Sequence, residues 1–313
     1  MKIGFFGTPE HAKDLLKILK DHGNEIGFVV TNPDKPQGRK KELVPSPVKK
    51  YALENGIPVF QPIKIKQEPA IQEILSIAVD IHIVYAYGSI IPEIIFTSPK
   101  FGSMNLHGSL LPELRGASPV QSAILLGYKK TGFTIQYLAN EVDSGDIIAQ
   151  EEFEISDSDT TDILLNRITD LGGKAILRIL EEINQTQKPS SSIPQDNSKA
   201  TFCGKFKSED RLLDFTQSAE SIHNRIRAFY PNPIAMSGFR GKKILIHKSY
   251  LEKDTTVDSP PGTVYLKDKK SLFVICGDKK MIGIGEIQPE GKKPMAVSEF
   301  LNGINFLEGE RFD

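Results

Sequence analysis

The chain of 313 residues is long enough for two domains that each bury a core. Its composition, with 25% charged and 39% hydrophobic residues, is that of an ordinary globular protein. No apolar run approaches the length that crosses a bilayer, and "MKIGFFG" is too short and wrongly flanked for a signal peptide. Cys203 and Cys276 lie far apart with no CxxC pattern, so we expect free thiols, no metal site and a cytoplasmic protein.

The net charge of −1 hides two basic regions. Residues 34–50 contain six Lys or Arg against two acids, and residues 205–293 contain 17 basic against 11 acidic residues. This distribution is consistent with a polyanion held at two places. Charge alone leaves open the alternative that both regions are simply solvated, lysine-rich surfaces.

The first half of the chain alternates strand and helix patterns. "KIGFFG" predicts a buried strand, and the helix after it places Ala12, Leu15, Leu16 and Leu19 on one stripe before a stop at Gly23. "EIGFVV", "PVF", "DIHIVYAYG" and "GSMNLHG" predict further strands. Apolar strands that alternate with helices predict an α/β fold with a doubly wound, mostly parallel, Rossmann-like sheet, which binds ligands beyond the carboxyl ends of its strands.

The second half changes character. Residues 160–184 predict a long closing helix, with Gly172 and Gly173 as the point where it could break, and residues 189–204 are rich in Pro, Ser and Asn. After one more helix, short strands with frequent turns predict a small antiparallel OB-like β-barrel. We therefore expect a catalytic domain over residues 1–188, a linker over 189–204 and a C-terminal domain over 205–313.

Three polar residues stand where strands end. Asn105 and His107 are two apart in a predicted strand and share a face, and Asp143 lies in a Gly/Ser turn after the strand "TGFTIQYL". An amide donor, an imidazole and a carboxylate can stabilise an oxyanion and move a proton. With no Ser or Cys placed as a nucleophile, the set suits attack by a substrate amine on a carbonyl, although an isolated N-x-H is more often structural.

The stretch "NLHGSLLPELRGASPVQSAI", followed by "TGFTIQYLANEVDSGDI", resembles the signature of the folate-dependent formyltransferases. "FFGTPEHA", "TNPDKPQGRKKELVPSPVK", "GIPVFQP", "AYGSIIP", "ATFCGKF", "IRAFYPNP" and "PEGKKPM" resemble further family segments in the same order along nearly the whole chain. The resemblance implies a formyltransferase domain followed by an OB-like domain that holds tRNA.

The resemblance also implies roles for individual residues. It makes Asn105, His107 and Asp143 the catalytic residues. It implies folate contacts from Ser109, Leu110, Leu111, Pro112, Ala86, Tyr87 and Gly88, and tRNA contacts from Arg39, Lys40 and Lys41.

The implied reaction moves the formyl group of 10-formyltetrahydrofolate to the α-amine of initiator methionyl-tRNA, for translation initiation in a bacterial cytoplasm. The carbonyl oxygen gains charge that Asn105 and protonated His107 can stabilise, while Asp143 orients His107 and takes the proton shed by the amine. The folate supplies an already activated formyl group, so no metal is expected. We expect a monomer.

Two alternatives remain. A formyltransferase for a nucleotide sugar or for glycinamide ribonucleotide would share the Asn-His-Asp set, but it would not need the basic residues around Arg39 or the basic C-terminal domain. A non-catalytic RNA-binding protein would use the barrel and leave the three polar residues unexplained. The sequence favours the tRNA enzyme.

Overall fold

The computed structural model describes residues 1–37, 42–268, 270–307 and 309–313. The predicted tRNA contacts Arg39, Lys40 and Lys41 lie outside the described residues. The strands are β1 (Lys2–Gly7), β2 (Glu25–Val30), β3 (Lys35–Gln37), β4 (Glu42–Val44), β5 (Val59–Phe60), β6 (Ile81–Tyr85), β7 (Ser103–His107), β8 (Arg115–Gly116), β9 (Lys130–Tyr137), β10 (Ile147–Glu154), β11 (Phe202–Cys203), β12 (Ala235–Phe239), β13 (Lys242–Thr256), β14 (Val264–Leu266), β15 (Leu272–Ile275), β16 (Lys280–Pro289) and β17 (Met295–Ala296). The helices are α1 (Glu10–Asp21), α2 (Pro47–Glu54), α3 (Glu68–Leu75), α4 (Glu93–Phe96), α5 (Pro119–Leu125), α6 (Thr161–Thr186), α7 (Ala219–Ala228) and α8 (Val297–Asn302).

The chain folds into two compact units. The first comprises residues 1–119, 131–153 and 165–204, and the second comprises residues 120–130, 154–164 and 205–313. The division into domains at residues 188 and 204 stays a prediction. In the described residues, no helix combines the length and apolarity that a bilayer crossing requires.

The first unit is built on a seven-stranded sheet with the order β10-β9-β7-β6-β1-β2-β5. The pairs β5–β2, β2–β1, β1–β6 and β6–β7 are parallel, whereas β7 pairs with β9 in the antiparallel direction. The predicted mostly parallel sheet is confirmed. The strand that carries Asn105 and His107 therefore has a parallel neighbour on one side and an antiparallel neighbour on the other.

Helix α1 confirms the predicted stripe. Its buried residues are Ala12, Leu15, Leu16 and Leu19, and the chain turns at Gly23 with φ of 81°. A positive φ is accessible to glycine without steric cost, so the helix ends where the pattern predicted.

Helix α6 is one unbroken element from Thr161 to Thr186, so a break near Gly172 and Gly173 does not occur. The glycines serve packing instead. A Cβ on Gly172 would lie 2.6 Å from Leu106 Cδ1, and one on Gly173 would lie 3.2 Å from Ile18 Cδ1. Two residues without side chains let the helix approach β7 and α1 closely, and this packing outweighs the low helix propensity of glycine.

The second unit is built on antiparallel strands in the order β12-β13-β16-β15-β14, with β17 paired to β16. The helix α7 buries Ile222 and Ile226 in one core with Ile246, Ile282 and Ile284 of the strands. The predicted antiparallel character of the C-terminal part is confirmed.

A buried polar cluster fixes residues 154–164 to the same unit. The guanidinium of Arg227 donates to the carbonyls of Ser156 and Asp159 at 3.0 and 2.9 Å, and to Oδ1 of Asn224. His223 Nε2 lies 2.8 Å from the carbonyl of Asp157. Backbone carbonyls that would otherwise be buried without donors are satisfied in this way.

Candidate active site

Asn105 and His107 lie on β7 and are placed by strand geometry. Successive side chains of a strand alternate between faces, so residues two apart share one face. In the antiparallel ladder, Asn105 is opposite Gln136 and His107 is opposite Thr134 of β9. His107 is 5% exposed, and Asn105 is half-buried. The strand thus holds the imidazole in protein and leaves the amide more accessible.

Asp143 meets both residues. Its Oδ2 lies 3.6 Å from His107 Nδ1, an ion-pair distance longer than a hydrogen bond, and its Oδ1 accepts from Asn105 Nδ2 at 3.4 Å. Its own backbone has φ of 52°, a left-handed conformation that is uncommon outside glycine. The three residues that the sequence singled out therefore come together in the first unit.

The second ring nitrogen of His107 is also occupied. Its Nε2 lies 3.0 Å from the carbonyl oxygen of Leu114. A carbonyl oxygen only accepts, so Nε2 carries the hydrogen in this contact. The Asp143 carboxylate lies 3.6 Å from Nδ1, so each ring nitrogen has an acceptor group nearby, and the contact with the Leu114 carbonyl, at 3.0 Å, has hydrogen-bond length.

Two further donors hold the carboxylate of Asp143. The backbone N–H of Gly116 donates to Oδ2 at 2.8 Å, and Gln136 Nε2 donates to Oδ1 at 3.1 Å. Gly116 has φ of 119°, and a Cβ there would lie 2.1 Å from the Cys203 carbonyl oxygen. Only glycine fits this close approach, which explains why the residue after Arg115 is a glycine.

Sequence reasoning missed Gln136 and Thr134, although a signal was present. Both are polar and almost fully buried, at 2% and 0% exposed, and they alternate with the apolar Phe133 and Ile135. They are two apart, as Asn105 and His107 are, and so they share a face. A buried polar pair in an apolar strand points to a site when the partner strand carries such a pair as well.

The segment from Ser109 to Pro112 is tightly organised. Thr134 Oγ1 donates to the Ser109 carbonyl at 2.7 Å and accepts from the Leu111 N–H at 3.0 Å. Ser109 Oγ donates to the Glu113 carbonyl at 2.6 Å, and Leu110 is half-buried. The hydroxyl of Ser109 is thus used within its own loop. Ser109 and Leu111 are buried, whereas Leu110 and Pro112 are half-buried.

Residues 86–88 follow β6, the parallel neighbour of β7. Ala86 and Gly88 are exposed with φ of 51° and 83°, while the Tyr87 ring is 3% exposed. Burial raises the pKa of the Tyr87 phenol to about 12. Asn32 Nδ2 donates to the Tyr87 carbonyl at 2.9 Å and holds this turn.

The basic residues 34–50 include a short two-stranded ladder. Strands β3 and β4 pair in antiparallel fashion, with Lys35 opposite Val44 and Gln37 opposite Glu42. At its base Lys49 Nζ lies 2.7 Å from Asp34. Across the described ranges, no group of three His, Cys, Asp or Glu side chains is arranged to hold a metal ion.

The chain matches two family patterns. Residues 1–180 match "Formyl transferase", and residues 205–305 match "Formyl transferase, C-terminal domain". The chain belongs to the formyltransferase family.

Its relatives carry a more specific name. The methionyl-tRNA formyltransferase of Leptospira interrogans is 49% identical over 316 residues, which cover 100% of both chains. The methionyl-tRNA formyltransferase of Bacillus subtilis is 37% identical over 310 residues, or 99% of this chain and 96% of the relative.

A solved structure has the same fold. HypX from Aquifex aeolicus, in complex with tetrahydrofolic acid, superposes with a TM-score of 0.66 at 18% identity. The match covers 96% of this chain and 47% of the HypX chain, so this protein spans about half the length of HypX.

Proposed function

We propose that this protein transfers the formyl group of 10-formyltetrahydrofolate to the α-amine of initiator methionyl-tRNA. The observation that carries the proposal is the convergence of Asn105 and His107 on the carboxylate of Asp143, at 3.4 and 3.6 Å. The identity of 49% to a methionyl-tRNA formyltransferase over its whole length supports the choice of acceptor.

The three residues would act on the carbonyl and the amine. Asn105 Nδ2 and the Nε2–H of His107, which donates to the Leu114 carbonyl in the free protein, would donate to the formyl oxygen as it gains charge. Asp143 would hold the imidazole through Nδ1 and take the proton shed by the amine, directly or through water. As the bond between the formyl carbon and N10 breaks, this proton would pass to N10, so that tetrahydrofolate leaves as a neutral amine.

The residues near β6 fit a flat folate ring system. Ala86 and Gly88 expose their backbone, and nothing but Asn32 Nδ2, at 4.0 Å, lies close to where a Cβ on Gly88 would be. Ile90 follows with 57% of its side chain exposed. Exposed peptide groups beside an apolar side chain suit a heteroaromatic ring, and Ser109, Leu110, Leu111 and Pro112 would contact the same ligand. When bound, 10-formyltetrahydrofolate supplies the activated formyl group.

The basic residues would serve the tRNA. Arg39, Lys40 and Lys41 continue the β3–β4 ladder in sequence, and we assign them to the acceptor end. The basic C-terminal part would contact the phosphate backbone, which attracts Lys and Arg irrespective of base sequence.

Three further expectations complete the proposal. The catalytic domain would comprise residues 1–188, the linker 189–204 and the tRNA-binding domain 205–313. The enzyme would act as a monomer, without a metal ion. It would work in the cytoplasm, where initiator tRNA is charged and used.

The test is a direct transfer assay. Purified protein is mixed with 10-formyltetrahydrofolate and one of three acceptors: charged initiator Met-tRNA, charged elongator Met-tRNA, or a panel of amino sugars with glycinamide ribonucleotide. Rapid product on initiator Met-tRNA alone is expected. Product only on a small amine would retain formyl transfer and overturn the tRNA acceptor, and no product on any acceptor would overturn the proposed function.

A further inference from the structure

We infer that Gln195 is a positioning residue for formyl transfer, because it holds the loop that carries Asp143; this inference rests on the proposed function. Gln195 lies in residues 181–204, between the two matched family patterns. The sequence predicts only a surface linker there. The structure brings this side chain to the loop of the proposed catalytic carboxylate.

The amide nitrogen of Gln195 is surrounded by acceptors. Nε2 lies 2.9 Å from the Asp143 carbonyl oxygen, 2.7 Å from the Gly145 carbonyl oxygen and 3.0 Å from Gln136 Oε1. Gln136 in turn donates to the Asp143 carboxylate at 3.1 Å. One side chain therefore contacts two backbone carbonyls of the loop, those of Asp143 and Gly145, and supports Gln136, a donor to the Asp143 carboxylate.

The amide oxygen of Gln195 is fixed by a buried cation. Arg115, which is 3% exposed, donates to Oε1 from Nε at 3.1 Å and from Nη2 at 2.7 Å. Nη2 also donates to Asn197 Oδ1 at 2.7 Å. A guanidinium only donates, so Oε1 must face Arg115 and Nε2 must face the loop. The orientation of the amide is thereby determined.

The loop needs such support. Asp143 has φ of 52°, and a Cβ on Gly145 would lie 1.8 Å from the Tyr137 carbonyl oxygen. A residue in a sparsely populated conformation persists where its surroundings over-determine it. The two bonds from Gln195 to the carbonyls of Asp143 and Gly145 supply that constraint and keep the Asp143 carboxylate near His107.

The decisive variant is Gln195→Glu. It keeps the shape and the acceptor for Arg115, but it replaces the N–H donors with an oxygen that repels the two carbonyls. The matched control is Asp196→Ala, one residue further along, whose exposed carboxylate accepts from the N–H and the hydroxyl of Ser198. Gln195→Glu should lower kcat at least about 10-fold with KM for both substrates within about threefold, since small misplacements of a catalytic group are costly. Asp196→Ala should stay within about twofold. An unchanged kcat in Gln195→Glu, or an effect on KM alone, would overturn the inference.

Two more readouts separate positioning from general damage. In an Asp143→Asn background, measured in single turnover, Gln195→Glu should add less than about twofold, because residues that act through one group are not additive. If Gln195→Glu slowed the Asp143→Asn enzyme by the same factor as the wild type, Gln195 would act through a group other than Asp143. Hydrogen–deuterium exchange should be faster in Gln195→Glu than in Asp196→Ala over residues 138–148, and equal exchange would contradict the contact itself. The exchange result does not require activity, so it tests the positioning even if the wild-type protein fails to formylate tRNA and the proposed function falls.

Discussion

Asn105 and Gln136 are direct partners across the β7–β9 ladder, and their side-chain amides both donate to Oδ1 of Asp143, at 3.4 and 3.1 Å. Sheet register thus brings two residues that are 31 positions apart in sequence to one carboxylate oxygen. The sheet positions the two amides, and the loop after β9 carries the carboxylate of Asp143.

His107→Ala should remove one proposed donor to the developing oxyanion and lower kcat by roughly 100- to 1000-fold. The KM for methionyl-tRNA should change little, because His107 is 5% exposed and so offers the tRNA little surface to contact. Steady-state kinetics on initiator Met-tRNA measures both constants. Near-normal turnover in a variant whose circular dichroism matches the wild type would show that His107 is structural.

Gly116→Ala should damage stability and catalysis together. The added Cβ would lie 2.1 Å from the Cys203 carbonyl oxygen, and φ of 119° is unfavourable for alanine. We expect a loss of about 1–3 kcal/mol in the free energy of unfolding, as for other strained backbone positions. The displaced N–H would no longer donate to Asp143, so kcat should fall as well. Urea unfolding and the transfer assay give the two values, and Gly204→Ala, where a Cβ meets nothing within 4 Å, is the control.

Gly172→Ala should destabilise the protein although alanine is the better helix former. Alanine gains about 1 kcal/mol in propensity, but its Cβ would lie 2.6 Å from Leu106 Cδ1, and overpacking costs about 1–3 kcal/mol. A second change, Leu106→Val, shortens the opposing side chain and should make Gly172→Ala less harmful than in the wild-type background. Equal effects of Gly172→Ala in the two backgrounds would mean that this contact does not limit the approach of α6.

Stability should fall below pH 6.5 because of His82. Burial lowers the pKa of its imidazole from 6.5 to about 3, so the unfolded chain binds the proton first as the pH falls. The free energy of unfolding should therefore decrease between pH 6.5 and about 3, by at most about 1.4 kcal/mol per pH unit from this group. His82→Asn should flatten that slope in urea titrations. Ser103→Ala, which removes the hydroxyl 3.1 Å from His82 Nδ1 but keeps the imidazole, should lower stability and retain the slope.

Arg39→Ala should raise the KM for methionyl-tRNA and leave folate binding unchanged. A basic side chain that contacts a phosphate contributes about one unit to the slope of log affinity against log salt, so this slope should become shallower. Lys17→Ala, which removes an exposed cation of α1 paired with Asp21, is the charge-matched control. Loss of folate binding in Arg39→Ala would contradict the assignment of this residue to tRNA.

Local pattern was sufficient for much of the fold. The apolar stripe of α1 and the shared face of Asn105 and His107 on β7 depend on side-chain spacing within one element, which the sequence displays directly. Helix α6 shows where this reasoning fails. The low helix propensity of Gly172 predicts a point of weakness, yet its role is set by Leu106, which lies 66 positions earlier in the chain.

The candidate site also contains residues that the sequence predicts and one, Gln195, that it does not. The spacing of Asn105 and His107 indicates that they share one face of a strand. The Gly/Ser turn after β9 marks Asp143 as the third candidate. Gln195 was not predictable, because a Ser- and Pro-rich composition says only that a segment is irregular and not what it touches. Its contacts depend on where Arg115 holds it, and that is a property of the folded chain.

The strand pair β8–β11 limits where the part of the chain that holds the candidate active site could be excised. Cys203 pairs with Gly116, and the Arg115 N–H donates to the carbonyl of Thr201 at 2.9 Å. A fragment cut after Lys188 would retain Asn105, His107 and Asp143 but would lose these backbone partners and Gln195. The shortest fragment that keeps these contacts of the candidate active site therefore has to extend through Gly204, where the first compact unit ends.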